Sequence, residues 1–186
     1  MPTVIQRSKS PAGSILLATL VAGILDASAA MINLKINVPD ANPLRVWRSV
    51  AGGAFGETAR TGPLFPWALY GLIFHFLIAF LFTVFFYSIY PQIKIMHKNM
   101  VVTGILYGAF VWVVMNCIIL PLSNVREQGK LWAMIKTDGR PHLVFHPPTD
   151  IKQFIINILF FLFCVGLPIA LIIGNYFKKW VRITTS

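Results

Sequence analysis

Four long apolar runs divide this chain: Ala12–Leu34, Leu64–Tyr90, Met100–Leu120 and Phe154–Phe177. A helix needs about 20 mostly apolar residues to cross a bilayer, and each run is long enough. None alternates strictly between apolar and polar, as a barrel strand would. The pattern predicts an all-α polytopic membrane protein, a single membrane domain over residues 1–186 with four transmembrane helices. Aromatic residues gather toward both ends of the second run, LFPWALYGLIFHFLIAFLFTVFFYSIY, where a membrane interface favours them. Pro121 is expected to end the third helix. Pro168 cannot donate to the carbonyl of Cys164, so a kink is expected in the middle of the fourth.

The first run admits a second reading. Arg7 and Lys9 precede an apolar stretch, and Ala27-Ser28-Ala29 fits a small-residue cleavage site, the pattern of a secretory signal peptide. The apolar run continues past that site to Leu34, long enough to span. Both readings leave residue 35 onward outside, so the remaining spans keep their directions.

The connections carry their own patterns. In PLRVWRSVAGGAFGE, residues 43–57, Leu44, Trp47, Val50, Ala51, Ala54 and Phe55 recur at helical spacing. Arg45, Arg48 and Ser49 fall on the other face. A short amphipathic helix at the membrane surface is predicted, with Pro43 in its first turn; a re-entrant loop is the alternative. Gly52, Gly53 and Gly56 weaken an isolated helix, so close packing against the bundle is expected. The other outer connection, 121–153, is long and polar, with a turn marked by Asp138-Gly139.

Composition places the chain in its class. It is 56% apolar and 12% charged, with mean hydropathy +0.71; a soluble domain carries about 25% charged residues. The formal net charge is +10. In a soluble protein that excess would suggest nucleic acid. Here the basic residues lie between and beyond the spans, which suits topology signalling or an anionic lipid surface. No nucleic-acid partner is expected. With four spans, the N-terminus, the 91–99 connection and the C-terminus share one side. They hold seven basic residues and no acid; the two long outer connections hold nine basic and five acidic residues. The positive-inside rule weighs short flanks, so both termini are expected in the cytoplasm.

Polar positions inside the spans come next. Asp26 stands in LVAGILDASAAM with no other charge from Ala12 to Leu34. Its neighbours at helical spacing, Thr19, Ala22, Gly23, Ala29, Ala30 and Asn33, are all small or polar. The opposite face carries Leu17, Leu20, Ile24 and Met31. Asp26 is therefore expected to point into the bundle, since small and polar residues line helix interfaces in lipid. Equivalent ladders are Gly71, His75, Ala79 and Thr83 on the second span, and Gly104, Gly108, Trp112 and Asn116 on the third. Asn157, Cys164, Pro168 and Asn175 lie on roughly one side of the fourth. Asp26 is about 18 Å and His75 about 22 Å from the same membrane face at 1.5 Å per residue. Asn116 and Asn157 fall on the outer side of that level. The predicted intramembrane polar cluster is Asp26, His75, Asn116 and Asn157. An Asp beside a His can hold charge where a lone carboxylate is expelled or protonated.

Two functions fit. Ionisable groups inside spans mark proton relays and ion pathways, so the cluster suits proton-linked small-solute transport, a channel or sensing. The alternative is a non-transporting assembly or partner subunit whose polar residues only join helices. A pore through so narrow a bundle would need a homo-oligomer or a membrane protein partner beside the lipid bilayer. No enzyme is expected, because phosphate-loop, dinucleotide, nucleophile-elbow and kinase motifs are absent. No cofactor is expected. His142 and His146 have metal-ligand spacing in RPHLVFHPP, but Pro141, Pro147 and Pro148 oppose the helix that would align them. Cys117 and Cys164 form no disulfide or zinc pattern and read as packing residues.

AGILDASAA, PLRVWRSVAGGAFG, FHFLIAF, YGAFVWVVMNCIILPLS and VGLPIAL together resemble a group of small four-span bacterial inner-membrane proteins. The stretch from Pro91 to Lys94, leading to Leu-Pro-Leu, is similar more distantly to the YagU-like family. The resemblance covers about residues 20 to 172. It implies four helices in a bacterial inner membrane and no activity.

Overall fold

The structure, a computed structural model, describes residues 10–124, 131–137 and 140–184, with segments 133–143 and 179–184 described by backbone alone. Arg7, Lys9 and the Asp138-Gly139 turn lie outside the described residues. The fold is all-α, and four helices are long and apolar enough to cross a membrane: Pro11–Asn37, Leu64–Gln92, Met100–Leu122 and Ile151–Lys178. Their outward faces carry Leu20, Ile24, Ile73, Leu77, Leu81, Leu106 and Phe163, all exposed. An apolar belt of that extent suits lipid rather than water.

Helix α1 spans Pro11–Asn37. Ser10 caps it by accepting a hydrogen bond from the Gly13 amide, which satisfies one of the orphan donors of the first turn. Ala27–Ala29 lie within its unbroken length. The surface helix predicted for 43–57 is two helices, α2 (Leu44–Phe55) and α3 (Glu57–Thr61), parted at Gly56. Gly56 has φ +65°, a left-handed conformation that glycine adopts without cost. Helix α4, Leu64–Ile89, leads through two 3-10 turns to α5, Met100–Val114. Asn99 caps α5 by accepting from the Val101 and Val102 amides.

The third and fourth spans each contain a widened turn. Residues Met115–Ile119 form a π-helical turn, closed by the Leu120 amide donating to Met115 O. Residues Phe161–Gly166 form the second, closed by Leu167 N to Leu162 O. Each ends two residues before a proline, in Cys117-Ile-Ile-Leu-Pro121 and Cys164-Val-Gly-Leu-Pro168. The physical cause is shared. A proline leaves the carbonyl four residues back without its donor and crowds it; one extra residue per turn relieves that crowding. Pro121 therefore does not end the third helix at Leu120. A short α6, Leu120–Leu122, continues through it. Pro168 is accommodated by the widened turn between α7, Ile151–Phe160, and α8, Leu167–Thr184.

The connection between the third and fourth long helices adds an element the apolar pattern does not foresee. Strands β1, Trp132–Thr137, and β2, Arg140–Phe145, pair antiparallel with Trp132 opposite Phe145. The rings of that pair are 4.9 Å apart.

The spans meet in two packed regions. Ala18 and Ala22 of α1, Phe86 and Tyr90 from the α4 end, Tyr107 and Val111 of α5, and Ile169 and Ile173 of α8 form the larger core. There Tyr107 donates its hydroxyl to Phe82 O at 2.6 Å. The other region is Ala27, Trp47 and Ala68, where α2 lies across α1 and α4. Backbones approach closely at small residues. A Cβ on Gly108 would lie 2.5 Å from Phe161 O and 2.6 Å from Leu162 Cα, and one on Gly166 would lie 2.5 Å from Gly108 Cα. The Gly104/Gly108 spacing is thus used against the second π turn.

Candidate functional site

Asp26 and His75 come together. Helix α1 runs antiparallel to α4, and the residues that place the pair at equal depth are the small ones that let these helices approach. A Cβ on Gly23 would sit 2.5 Å from the Phe76 ring, so glycine is needed there for the contact. The result is an Asp26 Oδ2 to His75 Nδ1 distance of 4.0 Å, with the side chains 24% and 14% exposed. That is ion-pair contact, longer than a hydrogen bond.

The other ring nitrogen is committed. His75 Nε2 lies 3.0 Å from the carbonyl oxygen of Gly23. A carbonyl only accepts, so Nε2 carries a hydrogen and donates it. Nδ1 then holds either a lone pair or a second proton. A lone pair facing an ionised carboxylate among apolar side chains is unfavourable. The contact is favourable when one proton lies between the two groups, as Asp26–COOH toward Nδ1 or as an imidazolium toward the carboxylate. The backbone bond thereby fixes the tautomer and leaves Nδ1 as the ring nitrogen that faces Asp26.

Three further groups surround the pair. Trp47, from the buried face of α2, lies with its ring 5.1 Å from that of His75, tilted at 57°. Cys164 belongs to the second π turn, which packs against α1. Thr19 lies two turns from Asp26 on α1, is 5% exposed, and its Oγ1 has no hydrogen-bond partner among the described residues. A buried unpaired hydroxyl is uncommon, and an ordered water is the usual partner.

The other two predicted members take different places. Asn116 is half-buried in the first π turn and donates from Nδ2 to Trp112 O at 2.9 Å, within its own helix. Asn157 is exposed on α7. The physical reason is the π turn Phe161–Gly166, which separates Asn157 from Pro168 and Asn175. It adds a residue to the helix, so positions on its two sides no longer share the face that a regular 3.6-residue period assigns them. The apolar spacing of 43–57 places Trp47 on the packed face of the surface helix, and the connection that carries it is short and joins the two spans with Asp26 and His75. Its apolar face has to rest on them.

His142 lies on β2, and its side chain lies outside the described residues. His146, beyond the strand, has a buried Nε2 without a partner among the described residues, while its amide donates to Leu131 O at 2.8 Å. Among the described residues no three His, Cys, Asp or Glu side chains group to hold a metal ion. No family model matches the chain, and no curated protein or solved structure does either.

Proposed function

We propose that this chain is a multi-pass bacterial inner-membrane protein, not an enzyme, in which Asp26 and His75 form a proton-binding centre for small-solute transport, a channel or sensing. One observation supports this most: Nε2 is held by Gly23, which leaves Nδ1 facing the Asp26 carboxylate at 4.0 Å inside the bundle. Loss or gain of that proton changes the charge between α1 and α4, where low dielectric makes a charge change costly. The unpaired buried hydroxyl of Thr19, two turns along α1, supports access by water. The basic short flanks support cytoplasmic termini, and the family resemblance of the span motifs supports the inner membrane.

A second reading rests on the same bond. His75 Nε2 to Gly23 O joins two helices across 52 residues of sequence, as a structural clamp in an assembly or partner subunit would. Asp26→Asn separates the two. Asparagine keeps the shape and can donate to Nδ1, but cannot exchange a proton. In vesicles with a trapped pH-sensitive dye, the native chain is expected to pass protons down an imposed gradient, and Asp26→Asn to abolish this while accumulating normally. A variant that fails to accumulate, or native vesicles that pass no protons and show no pH-dependent response, would decide for the clamp.

A further inference from the structure

We propose that α2 carries a binding site for the phosphate of an anionic phospholipid headgroup, formed by Arg45 and Arg48. The helix is anchored from beneath: Trp47 and Ala51 are buried against α1 and α4, and Trp47 O meets the space where Gly71 lacks a side chain. Arg45 and Arg48 are three residues apart and share the opposite stripe. Arg45 is exposed and Arg48 half-buried. The stripe continues at Gly52, over which the Arg60 side chain lies, 3.3 Å from where a Cβ would be.

The charge of this stripe is uncompensated. Helix α2 contains no acidic residue. Glu57, just beyond α2, already pairs its carboxylate with Arg60 at 2.6 Å. Asp40 precedes α2, but among the described residues no ion pair reaches Arg45 or Arg48.

The depth suits a headgroup. Phe55 at the end of α2 contacts Trp67, Tyr70 and Phe74 of α4. Phe65 and Tyr70 are exposed, 69% and 52%. Exposed aromatic side chains at a span's end mark the layer where headgroups lie. Arg45 and Arg48, three residues apart on one helical face, offer two guanidinium forks to one phosphodiester, which arginine binds through paired N–H groups. The excess of basic residues in the outer connection then has a role besides topology: the free phosphates lie in the leaflet that α2 rests on.

The test is lipid retention by the purified full chain in detergent, read by native mass spectrometry during titration with phosphatidylglycerol or phosphatidylcholine. Each basic group near an anionic surface contributes about fivefold in affinity. Arg45→Gln with Arg48→Gln is therefore expected to weaken phosphatidylglycerol about 25-fold and to leave phosphatidylcholine unchanged. Lys94→Gln with Lys98→Gln, on the opposite connection, is the charge-matched control and is expected to change neither. Equal losses in the two double variants, or none in the first, overturn the site. Displacement of phosphatidylglycerol by equimolar inorganic phosphate would assign the arginines to a free anion and overturn the lipid reading. Arg45→Gln alone, at the exposed position, serves if the double variant does not accumulate; about fivefold weakening is expected, and unchanged retention overturns the proposal.

Discussion

Gly166→Ala tests how the spans are held together. The added Cβ would lie 2.5 Å from Gly108 Cα, and nearer still to Gly104 O and Gly108 N. All three are backbone atoms, so no side chain can swing aside. Ordinary contacts begin near 3.4 Å, and α5 must back away from the π turn by more than an ångström. Overpacking of this kind costs about 3 kcal/mol at the upper end of the usual range. Alanine recovers about 1 kcal/mol of helix propensity over glycine, leaving a net loss of about 2 kcal/mol. For a chain of this length that lowers Tm by about 4–8 °C. Gly174→Ala is the graded comparison, because its nearest neighbours are the Met100 Cε and Sδ at 2.9 and 3.0 Å and the Tyr90 hydroxyl. A methionine side chain can repack, so a shift under about 3 °C is expected. Gly13→Ala meets only Ser10 Oγ at 3.1 Å and is expected to be neutral or stabilising. Intrinsic tryptophan fluorescence during heating in detergent measures all three. If Gly166→Ala melts with Gly13→Ala, the close approach of α5 to the π turn is not what holds the bundle.

Two other outcomes follow. Tyr107→Phe removes the hydroxyl bonded to Phe82 O and is expected to cost about 1 kcal/mol, or about 2–4 °C in the same melt; an unchanged melt would show that Phe82 O gains nothing from the tyrosine. With Cys117→Ala removing the exposed thiol, a small charged thiol reagent is expected to label Cys164 in membrane-embedded protein, read by mass spectrometry. An unreactive Cys164 indicates a dry interior around Asp26 and favours the clamp.

The spans were legible because length and apolarity are properties of composition, unaffected by local geometry. Asp26 and His75 were legible for a related reason: both helices are regular there, so spacing along each run converts directly into face and depth. The same conversion fails for Asn157. A one-residue expansion at Phe161–Gly166 lies between it and Pro168, and periodicity cannot be carried across it. A signal for that expansion does exist in the sequence. Both π turns precede a proline in a Cys-x-x-Leu-Pro stretch, and the donor missing at Pro121 and Pro168 names the carbonyls that need relief. The hairpin was hidden differently, since its strands lie in a polar connection. Pro141 sits within β2 opposite Lys136, tolerable only because a two-stranded ribbon has free edges.

Helix α2 also has a mechanical meaning. It is fastened at several points: Trp47 and its neighbours to α1 and α4, Gly53 O and Ala54 O to the amide and side chain of Asn124 beyond the third span, and Gly52 O to Arg60. It works as a crossbar, tying three of the four spans at one end of the bundle. A crossbar cannot tilt or slide alone. Any lateral displacement of it moves the indole that lies on His75 and pulls on the end of the third span in the same stroke.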